Sequence, residues 1–314
     1  MTSAITRNPA TKTATLAVDT AGHWRVFAGK DIHSIDFSAP LATGDGPKNL
    51  ELPLTAWACF ALQAEACGKA PLLLAERHLP MTGGYNFRDL GGLPGADGKH
   101  VAWGKLFRTD GLGSLTDADL AYLASIPIAT IVDFRTSEEH EHSPDKIPAS
   151  VKKVLRLPIA PGYMSARATQ ALENYNHSDE FMFEMYHDLV TDPLIMAAYK
   201  RFFAAVQTED DLPLIFHCSA GKDRTGFAAA LALHSLGVDR QTILVDYESS
   251  NGYLGDKYAP YIEKYPHLRG LFSVKKSFLE EALSLTEAEY GSTDRYLETV
   301  LDVDIARMRQ RFLL

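Results

Sequence analysis

The stretch Leu214–Gly226 has the sequence LIFHCSAGKDRTG. Its first residues predict a buried strand that ends at Cys218, and the apolar run after Gly226 predicts a helix that ends before Gly237. When a strand, a tight loop and a helix follow one another, the backbone N–H groups of the loop and the positive end of the helix dipole point at one spot. The stretch therefore predicts an anion-binding loop, residues 218–224, suited to a phosphoryl group.

Two side chains of the anion-binding loop carry reactive chemistry. Cys218 lies at its base, where the N–H groups and the helix dipole favour the thiolate, which is the nucleophilic form of cysteine. Arg224 comes from the first helical turn, and its planar guanidinium suits two parallel hydrogen bonds to phosphate oxygens. We expect His217 to orient the loop. The other residues predicted to surround the phosphate are Ser219, Ala220, Gly221, Lys222 and Thr225.

The segment HCSAGKDRTG is similar to the Cys-x5-Arg loop of protein tyrosine phosphatases. Four further motifs resemble those of bacterial tyrosine phosphatases of the secreted mycobacterial and Listeria lipid-phosphatase-like type, and they follow one another in the same order along the chain. They are NFRDLGG at Asn86–Gly92, KLFRTD at Lys105–Asp110, TIVDFR at Thr130–Arg135 and DYESSN at Asp246–Asn251. The resemblance covers about residues 81–314.

The resemblance implies a two-step phosphomonoester hydrolysis through a thiophosphate on Cys218, with neither a metal nor an organic cofactor. Phosphotyrosine proteins are the expected substrates. Lys222 and Asp223 are marks of a branch in which the lysine accompanies activity on phosphoinositides, so these lipids and phosphoserine/threonine are further candidate substrates. The alternative function is a phosphatase fold that binds phosphate without turnover. A thiol protease is disfavoured, because neighbouring His217 and Cys218 point to opposite faces of a strand.

The general acid that protonates the leaving oxygen is not identified by the usual motif, because the chain contains no Trp-Pro-Asp triplet. Asp133 is the first candidate, because it ends the predicted strand ATIVDF at the sheet edge where open α/β folds place their ligands. Asp223, inside the loop itself, is the alternative.

Three arginines outside the loop, Arg88, Arg108 and Arg135, each lie next to an Asp or a turn. They fit structural ion pairs as well as they fit a phosphate pocket. The run EEHEH at Glu138–His142 contains residue types that bind metals, but a solvated charged loop before Pro144 is the favoured interpretation.

From about Pro80 onward, predicted strands alternate with helical patterns, which favours an α/β fold with a largely parallel sheet flanked by helices. Residues 81–314 are the predicted phosphatase domain, and residues 1–80 a small β-rich N-terminal domain. The N-terminal strands predicted by alternation and turn residues are Thr13–Val18, His23–Phe27, Ile32–Phe37, Asn49–Leu54, Leu72–Glu76 and, with a short helix as the alternative, Ala56–Ala66.

Composition excludes several classes of protein. The 314 residues carry a net charge of −9, which argues against general nucleic-acid binding. No apolar stretch approaches the ~20 residues that span a bilayer, and the N-terminus lacks the apolar core of a secretory signal. Cys59, Cys67 and Cys218 are too few and scattered for a disulfide framework or a zinc site. A cytoplasmic location is the default expectation, and export without a cleavable signal is the alternative. The oligomeric state is left open.

Overall fold

The computed structural model describes residues 4–8, 13–52, 54–65, 70–161 and 178–314. In these residues the strands form three sheets. Their bounds are β1 Ala4–Arg7, β2 Ala14–Val18, β3 His23–Gly29, β4 Ala42–Asp45, β5 Lys48–Leu52, β6 Cys59–Ala64, β7 Leu72–Ala75, β8 Arg88–Asp89, β9 Leu106–Thr109, β10 Thr130–Asp133, β11 Lys153–Arg156 and β12 Leu214–His217.

The largest sheet has the strand order β11-β10-β12-β9-β8. Strands β9 to β12 run parallel, and the short edge strand β8 is antiparallel to β9. In its register His217 pairs with both Thr109 and Asp133, so the carboxyl ends of the three central strands lie side by side. The prediction of a largely parallel sheet is confirmed, and this edge is where open α/β sheets form their sites.

Helices pack on both sides of the parallel sheet. Thr116 caps the first helix with a capping box. The described helices are α1 Asp117–Ser125, α2 Ser137–His142, α3 Ser178–Thr191, α4 Pro193–Val206, α5 Arg224–Ser235, α6 Arg240–Glu248, α7 Ser250–Lys264, α8 Arg269–Phe272, α9 Lys276–Tyr290, α10 Thr293–Thr299 and α11 Ile305–Phe312. None of the helices within the described residues is long and apolar enough to cross a membrane.

The two faces of the parallel sheet face different cores, because successive side chains of a strand alternate. Leu214 and Phe216 of β12 pack into a helical core with Tyr199 and Phe227. Ile215, between them, packs on the opposite face with α1 and with N-terminal residues that include Phe27, Trp57 and Cys59. The N-terminal sheet that contains Phe27 and Cys59 therefore shares a core with the parallel sheet.

The N-terminal residues form two antiparallel sheets, with the strand orders β1-β2-β5 and β4-β3-β6-β7. They pack on each other through a third core that includes Leu16, Trp24 and Phe60. The prediction of β-rich structure is confirmed, whereas the domain boundary at residue 80 stays a prediction. The predicted strand Ile32–Phe37 is wrong, because the Asp31 carboxylate accepts the N–H groups of His33 and Ser34 and closes a turn there. The strands β1 and β4 were not predicted.

Candidate active site

Cys218 follows β12 directly, and the anion-binding loop leads into the 12-residue helix α5, as the sequence predicts. The thiol is only 2% exposed. Gly221 has a φ of 65°, in the left-handed region that favours glycine. A Cβ atom at this position would lie 2.3 Å from the carbonyl oxygen of Thr109, so the loop packs directly against the end of β9. Only glycine fits this turn without displacing the backbone.

The carbonyl groups of residues 218–221 in the loop are held by hydrogen bonds from outside the loop. His217 Nδ1 lies 3.3 Å from the Cys218 carbonyl oxygen, and the Gly111 N–H donates to Ser219 O at 3.4 Å. Asn86 Nδ2 donates to the carbonyl oxygens of Ala220 and Gly221, at 3.1 Å each. Arg108 Nη2 adds a 2.7 Å bond to the same oxygen of Gly221. These donors turn the carbonyl groups of residues 218–221 away from the loop's concave side.

The N–H groups of the same loop differ from its carbonyl groups in their hydrogen bonding. Within the described residues, no backbone or side-chain acceptor bonds the amides of Ser219 to Asp223. A buried N–H without an acceptor is costly, and successive free amides at a helix N-terminus form a concave site for an anion. The loop is therefore shaped to receive the oxygens of a phosphoryl group beside Cys218.

Arg224 is buried and fixed from one side. Its Nη1 and Nη2 atoms each donate to the Glu139 carboxylate at 2.7 Å, which is a bidentate pair. Nη1 also reaches the carbonyl oxygens of Phe134 and Ile159, at 3.4 and 3.3 Å. Nε has no acceptor among the described residues. The edge of the guanidinium formed by Nε and the second Nη2 hydrogen therefore stays available for two phosphate oxygens.

Glu139 was not predicted as a site residue, since the run EEHEH was interpreted as a solvated loop. It lies on α2, where Thr136 and Glu139 form a capping box. Besides Arg224, it accepts a 2.5 Å hydrogen bond from the Ser219 hydroxyl. Burial opposes its ionisation, but the hydrogen bonds and charge of Arg224 outweigh burial and lower the pKa of Glu139 to about 2. Glu139 is therefore a carboxylate that holds both ends of the anion-binding loop.

A family model described as "Tyrosine phosphatase family" matches residues 79–314. The chain belongs to the tyrosine phosphatase family. The resemblance drawn from the motifs is confirmed, and with it the hydrolysis of phosphoric monoesters as the class of activity. The match begins just before the predicted phosphatase domain and leaves out most of the N-terminal β structure.

Two relatives extend the similarity beyond the loop. "Putative tyrosine-protein phosphatase" of Cupriavidus necator is 33% identical over an alignment of 248 residues that covers 73% of this chain and 85% of the relative. "Triple specificity protein phosphatase PtpB" of Mycobacterium tuberculosis is 26% identical over an alignment of 279 residues that covers 75% of this chain and 98% of the relative. Among solved structures, Pseudomonas aeruginosa TpbA in complex with pTyr aligns at 15% identity with a TM-score of 0.31, over 68% of this chain and 88% of that one.

Asp133, the first candidate for the general acid, lies in a buried ion cluster. Its carboxylate accepts from Arg135 N, Nε and Nη2, at 2.9 Å each. Arg135 Nη2 also lies 2.7 Å from Asp145. Burial raises the pKa of Asp133, but its bonds to Arg135 and the nearby His217 prevail and lower it. An acid held ionised by an arginine is poorly suited to give up a proton, so these contacts disfavour Asp133 in that role.

Asp223, the alternative, lies in a more open environment, where its partners are one cation and one neutral hydrogen-bond donor. Its Oδ2 lies 2.7 Å from Lys222 Nζ, and its Oδ1 accepts a 3.1 Å bond from the Tyr186 hydroxyl. Its side chain is 16% exposed, against 1% for Asp133. Asp223 immediately precedes α5 and so lies on the same loop as Cys218. Asp223 therefore stays a candidate for the general acid, on the same loop as the nucleophile and more exposed than Asp133.

The three arginines outside the loop take structural positions. Arg88 donates to the hydroxyls of Ser249 and Ser250 and lies 3.7 Å from Asp246, so its predicted place on the phosphate is disfavoured. Arg108 joins Asp246, at 2.7 Å, to the Gly221 carbonyl. The guanidinium of Arg135 lies at the edge of a cleft of about 460 Å³ beside the loop, but Asp133, Asp145 and the Ser143 carbonyl already bond it.

Two further predictions concern the residues next to the nucleophile. His217 orients the loop through the Cys218 carbonyl, and its Nε2 lies 3.3 Å from Asp145. Thr225, predicted to surround the phosphate, has a buried hydroxyl with no hydrogen-bond partner within the described residues. Cys59 is a core residue whose burial raises its thiol pKa well above the ordinary value. Cys67 lies outside the described residues.

A metal ion has one candidate site among the described residues. The ligand atoms of Asp133, Asp145 and His217 lie within 4.8 Å of one another. The guanidinium of Arg135 contacts both carboxylates, so a positive charge already compensates them. The residues of EEHEH do not form such a group. Arg135 is therefore the cation that these acids are arranged to hold.

Several residues of the site were missed or given no role by sequence reasoning. Asn86, Asp246 and Tyr186 act from distant segments, and only the first two lie in motifs that sequence comparison singled out. Lys257 of α7 lines the cleft, where its Nζ lies 3.2 Å from Asp110 and 3.5 Å from the Ser219 carbonyl. No local pattern identifies Lys257 or Tyr186, because their contacts depend on how helices pack over the loop.

Proposed function

We propose that this phosphatase works through Cys218 as nucleophile, Arg224 as phosphate clamp and Asp223 as general acid and base. The observation that carries the proposal is the complementarity of the anion-binding loop: the carbonyls of residues 218–221 are held outward, and its amides and one edge of Arg224 have no acceptor among the described residues. Such preorganised donors stabilise the charge of a phosphoryl transition state without reorganisation.

The reaction follows in two steps. The Cys218 thiolate attacks phosphorus, the bond from phosphorus to the leaving oxygen breaks, and Asp223 gives that oxygen its proton. Water then attacks the thiophosphate, Asp223 takes a proton from it, and inorganic phosphate leaves as the thiolate is restored. The amides of residues 219–223 and Arg224 bind the equatorial oxygens throughout. In this scheme both phosphoryl transfers use the same aspartate.

Substrate range is proposed from the surroundings of the loop. Phosphotyrosine in proteins is the first expected substrate, and phosphoserine/threonine and phosphoinositides are the next. The name of the mycobacterial relative, which refers to triple specificity, supports testing all three classes. Lys222 of the anion-binding loop and Lys257 of the cleft, which pair with Asp223 and Asp110, are the two lysines that we propose meet further negative charge on a substrate. A reducing compartment such as the cytoplasm suits a thiolate enzyme.

The test is phosphate release by the wild type and the Cys218→Ser variant, with chelator and reductant present. Phosphotyrosine peptides, phosphoserine peptides and phosphoinositides are compared at equal concentration. We expect release only by the wild type, and Cys59→Ala is the matched control because that thiol lies in the core. Release by Cys218→Ser at the wild-type rate would refute the mechanism. Binding of phosphopeptides without release by either protein would instead indicate a silent binding module.

The general acid is tested separately with Asp223→Asn and Asp133→Asn. We expect Asp223→Asn to remove the alkaline limb of the pH–rate profile and to lower kcat by about 10²–10⁴-fold. Asp133→Asn is expected to lower the free energy of unfolding while leaving that limb in place, because Asp133 is bonded to Arg135. The reverse pattern would restore Asp133 as the acid.

A further inference from the structure

Tyr186 of α3 is a fully buried residue whose hydroxyl reaches the loop. It donates to Asp223 Oδ1 at 3.1 Å, and it lies 2.7 Å from the hydroxyl of Tyr247 on α6. The two tyrosine rings meet edge to face, and Tyr247 also packs beside Gly226 of α5. Two helices distant in sequence thus bring one hydroxyl to an oxygen of the proposed general acid and a second hydroxyl to the first.

Both tyrosines act as neutral hydrogen-bonding groups. Burial, followed by the proximity of the other tyrosine and of Asp223, raises the pKa of Tyr186 well above its ordinary value. Burial and the charge of Asp223 raise the pKa of Tyr247 in the same direction. Each hydroxyl therefore keeps its proton, and a hydroxyl can both donate and accept.

The two oxygens of Asp223 are held by different donors, Tyr186 on Oδ1 and Lys222 on Oδ2. This fixes the plane of the carboxyl group. When Asp223 is ionised, Tyr247 can donate to Tyr186, and Tyr186 to the carboxylate. When Asp223 is protonated on Oδ1, Tyr186 can keep donating to one lone pair of that oxygen, which leaves the proton free to point at the leaving oxygen. The same hydroxyl therefore holds the aspartate in both its acid and its base form.

We infer that Tyr186, with Tyr247 behind it, is the positioning residue for Asp223 in leaving-group protonation. This inference rests on the proposed function, because it requires Asp223 to be the general acid. Tyr186 acts through Asp223 and does not touch the phosphoryl group. Removing the Tyr186 hydroxyl should therefore lower the rate most for substrates whose leaving oxygen needs a proton. The rate should fall least for substrates whose leaving group departs readily as an anion.

The experiment compares kcat/KM of the wild type and Tyr186→Phe on phenyl phosphate and on p-nitrophenyl phosphate, whose leaving group needs little protonation. We expect the variant to lose about tenfold on phenyl phosphate, a part of the roughly 10²–10⁴-fold that general acid catalysis supplies. On p-nitrophenyl phosphate we expect a loss within about twofold. Tyr247→Phe is expected to show the same selectivity, more weakly.

Tyr296→Phe is the matched control, because Tyr296 is equally buried and its hydroxyl has no hydrogen-bond partner in the described part of the chain. It should leave both substrates unaffected. In an Asp223→Asn background, Tyr186→Phe should add less than about a twofold further loss, since both changes act on the same proton transfer.

Four results would overturn the inference: an equal loss on both substrates, no loss on either, a full additional loss in the Asp223→Asn background, or an Asp223→Asn variant as active as the wild type. In each of these the wild type still hydrolyses phosphate esters through Cys218. A wild type inactive on both substrates would instead show that the proposed function itself had failed. Circular dichroism and urea unfolding of Tyr186→Phe separate a folding defect from a catalytic one.

Discussion

Replacing Glu139 by glutamine keeps the shape of the side chain but removes its charge. The carboxylate accepts four hydrogen bonds, from Arg224 Nη1 and Nη2, the Ser219 hydroxyl and the Thr136 N–H. A glutamine amide has one acceptor oxygen, and its NH₂ group would face donors. Arg224 would keep its backbone acceptors but lose the bidentate pair that fixes its plane, so both stability and phosphate binding should suffer.

The expected loss of stability follows from the pKa of Glu139. A pKa of about 2, against 4.5 for an unperturbed glutamate, corresponds to about 3 kcal/mol at roughly 1.4 kcal/mol per pKa unit. A quarter of the Glu139 side chain is exposed, so solvent screens part of this interaction. We therefore expect Glu139→Gln to lower the free energy of unfolding by about 1–2 kcal/mol. Because the folded-state pKa is lowered, this stability is present above the unfolded pKa of 4.5 and is lost as the pH falls toward about 2.

The assay measures urea unfolding and kcat/KM for the wild type and Glu139→Gln, with Glu141→Gln as control, since Glu141 is an exposed residue of the same helix. We expect kcat/KM to fall about 10- to 100-fold, as when a binding group is misplaced by about 1 Å. The stability difference should be full at pH 7 and shrink below about pH 5. An unchanged kcat/KM, or a stability difference that stays constant down to pH 3, would refute this account of Glu139.

Three further changes test the support of the site. Gly221→Ala should abolish phosphate release and lower the free energy of unfolding by about 1–3 kcal/mol, because its Cβ would meet the Thr109 carbonyl at positive φ. Kinetic assays and urea unfolding measure the two effects, and an active variant would contradict the loop geometry. Asp246→Asn should cost about 3–5 kcal/mol, since it leaves buried arginines uncompensated, and an unchanged unfolding midpoint would argue against the cluster. Trp57→Ala should cost about 3–5 kcal/mol by urea unfolding if the N-terminal sheet shares the core of the parallel sheet, and a loss below about 1 kcal/mol would deny that.

The place of the anion-binding loop is predictable from sequence because the elements that flank it are local. A strand, a glycine at positive φ and a helix N-terminus are contiguous from Leu214 to Gly226, so one segment indicates where the loop and Cys218 lie. The parallel sheet is predictable for a related reason, since each buried strand is an apolar run followed by a helical pattern.

The identity of the acid is not predictable in the same way. Position favours Asp133, which ends β10 at the carboxyl edge of the sheet, but Asp223 lies on the loop that follows β12 at the same edge. What separates them is their partners: Arg135 holds Asp133 as an ionised group, and Tyr186 approaches Asp223 from a helix. Such contacts depend on tertiary packing, and no spacing in the sequence records them. Glu139 is also not identifiable from the charged run EEHEH. Composition predicts a solvated segment there, and the contacts of Glu139 with Arg224 and Ser219 depend on tertiary packing.

The anion-binding loop has a demanding backbone requirement that its own sequence cannot meet. Its carbonyls must be held outward so that its amides face inward, and the donors that do this come from Asn86, Arg108 and Gly111, more than a hundred residues away in sequence. Asp246 in turn holds Arg108. A segment with the sequence HCSAGKDRTG therefore does not form an anion site by itself. Asn86 alone bonds the Ala220 carbonyl among the described residues, so its loss would free that carbonyl to turn inward against the phosphate, whereas the Gly221 carbonyl has both Asn86 and Arg108 as donors.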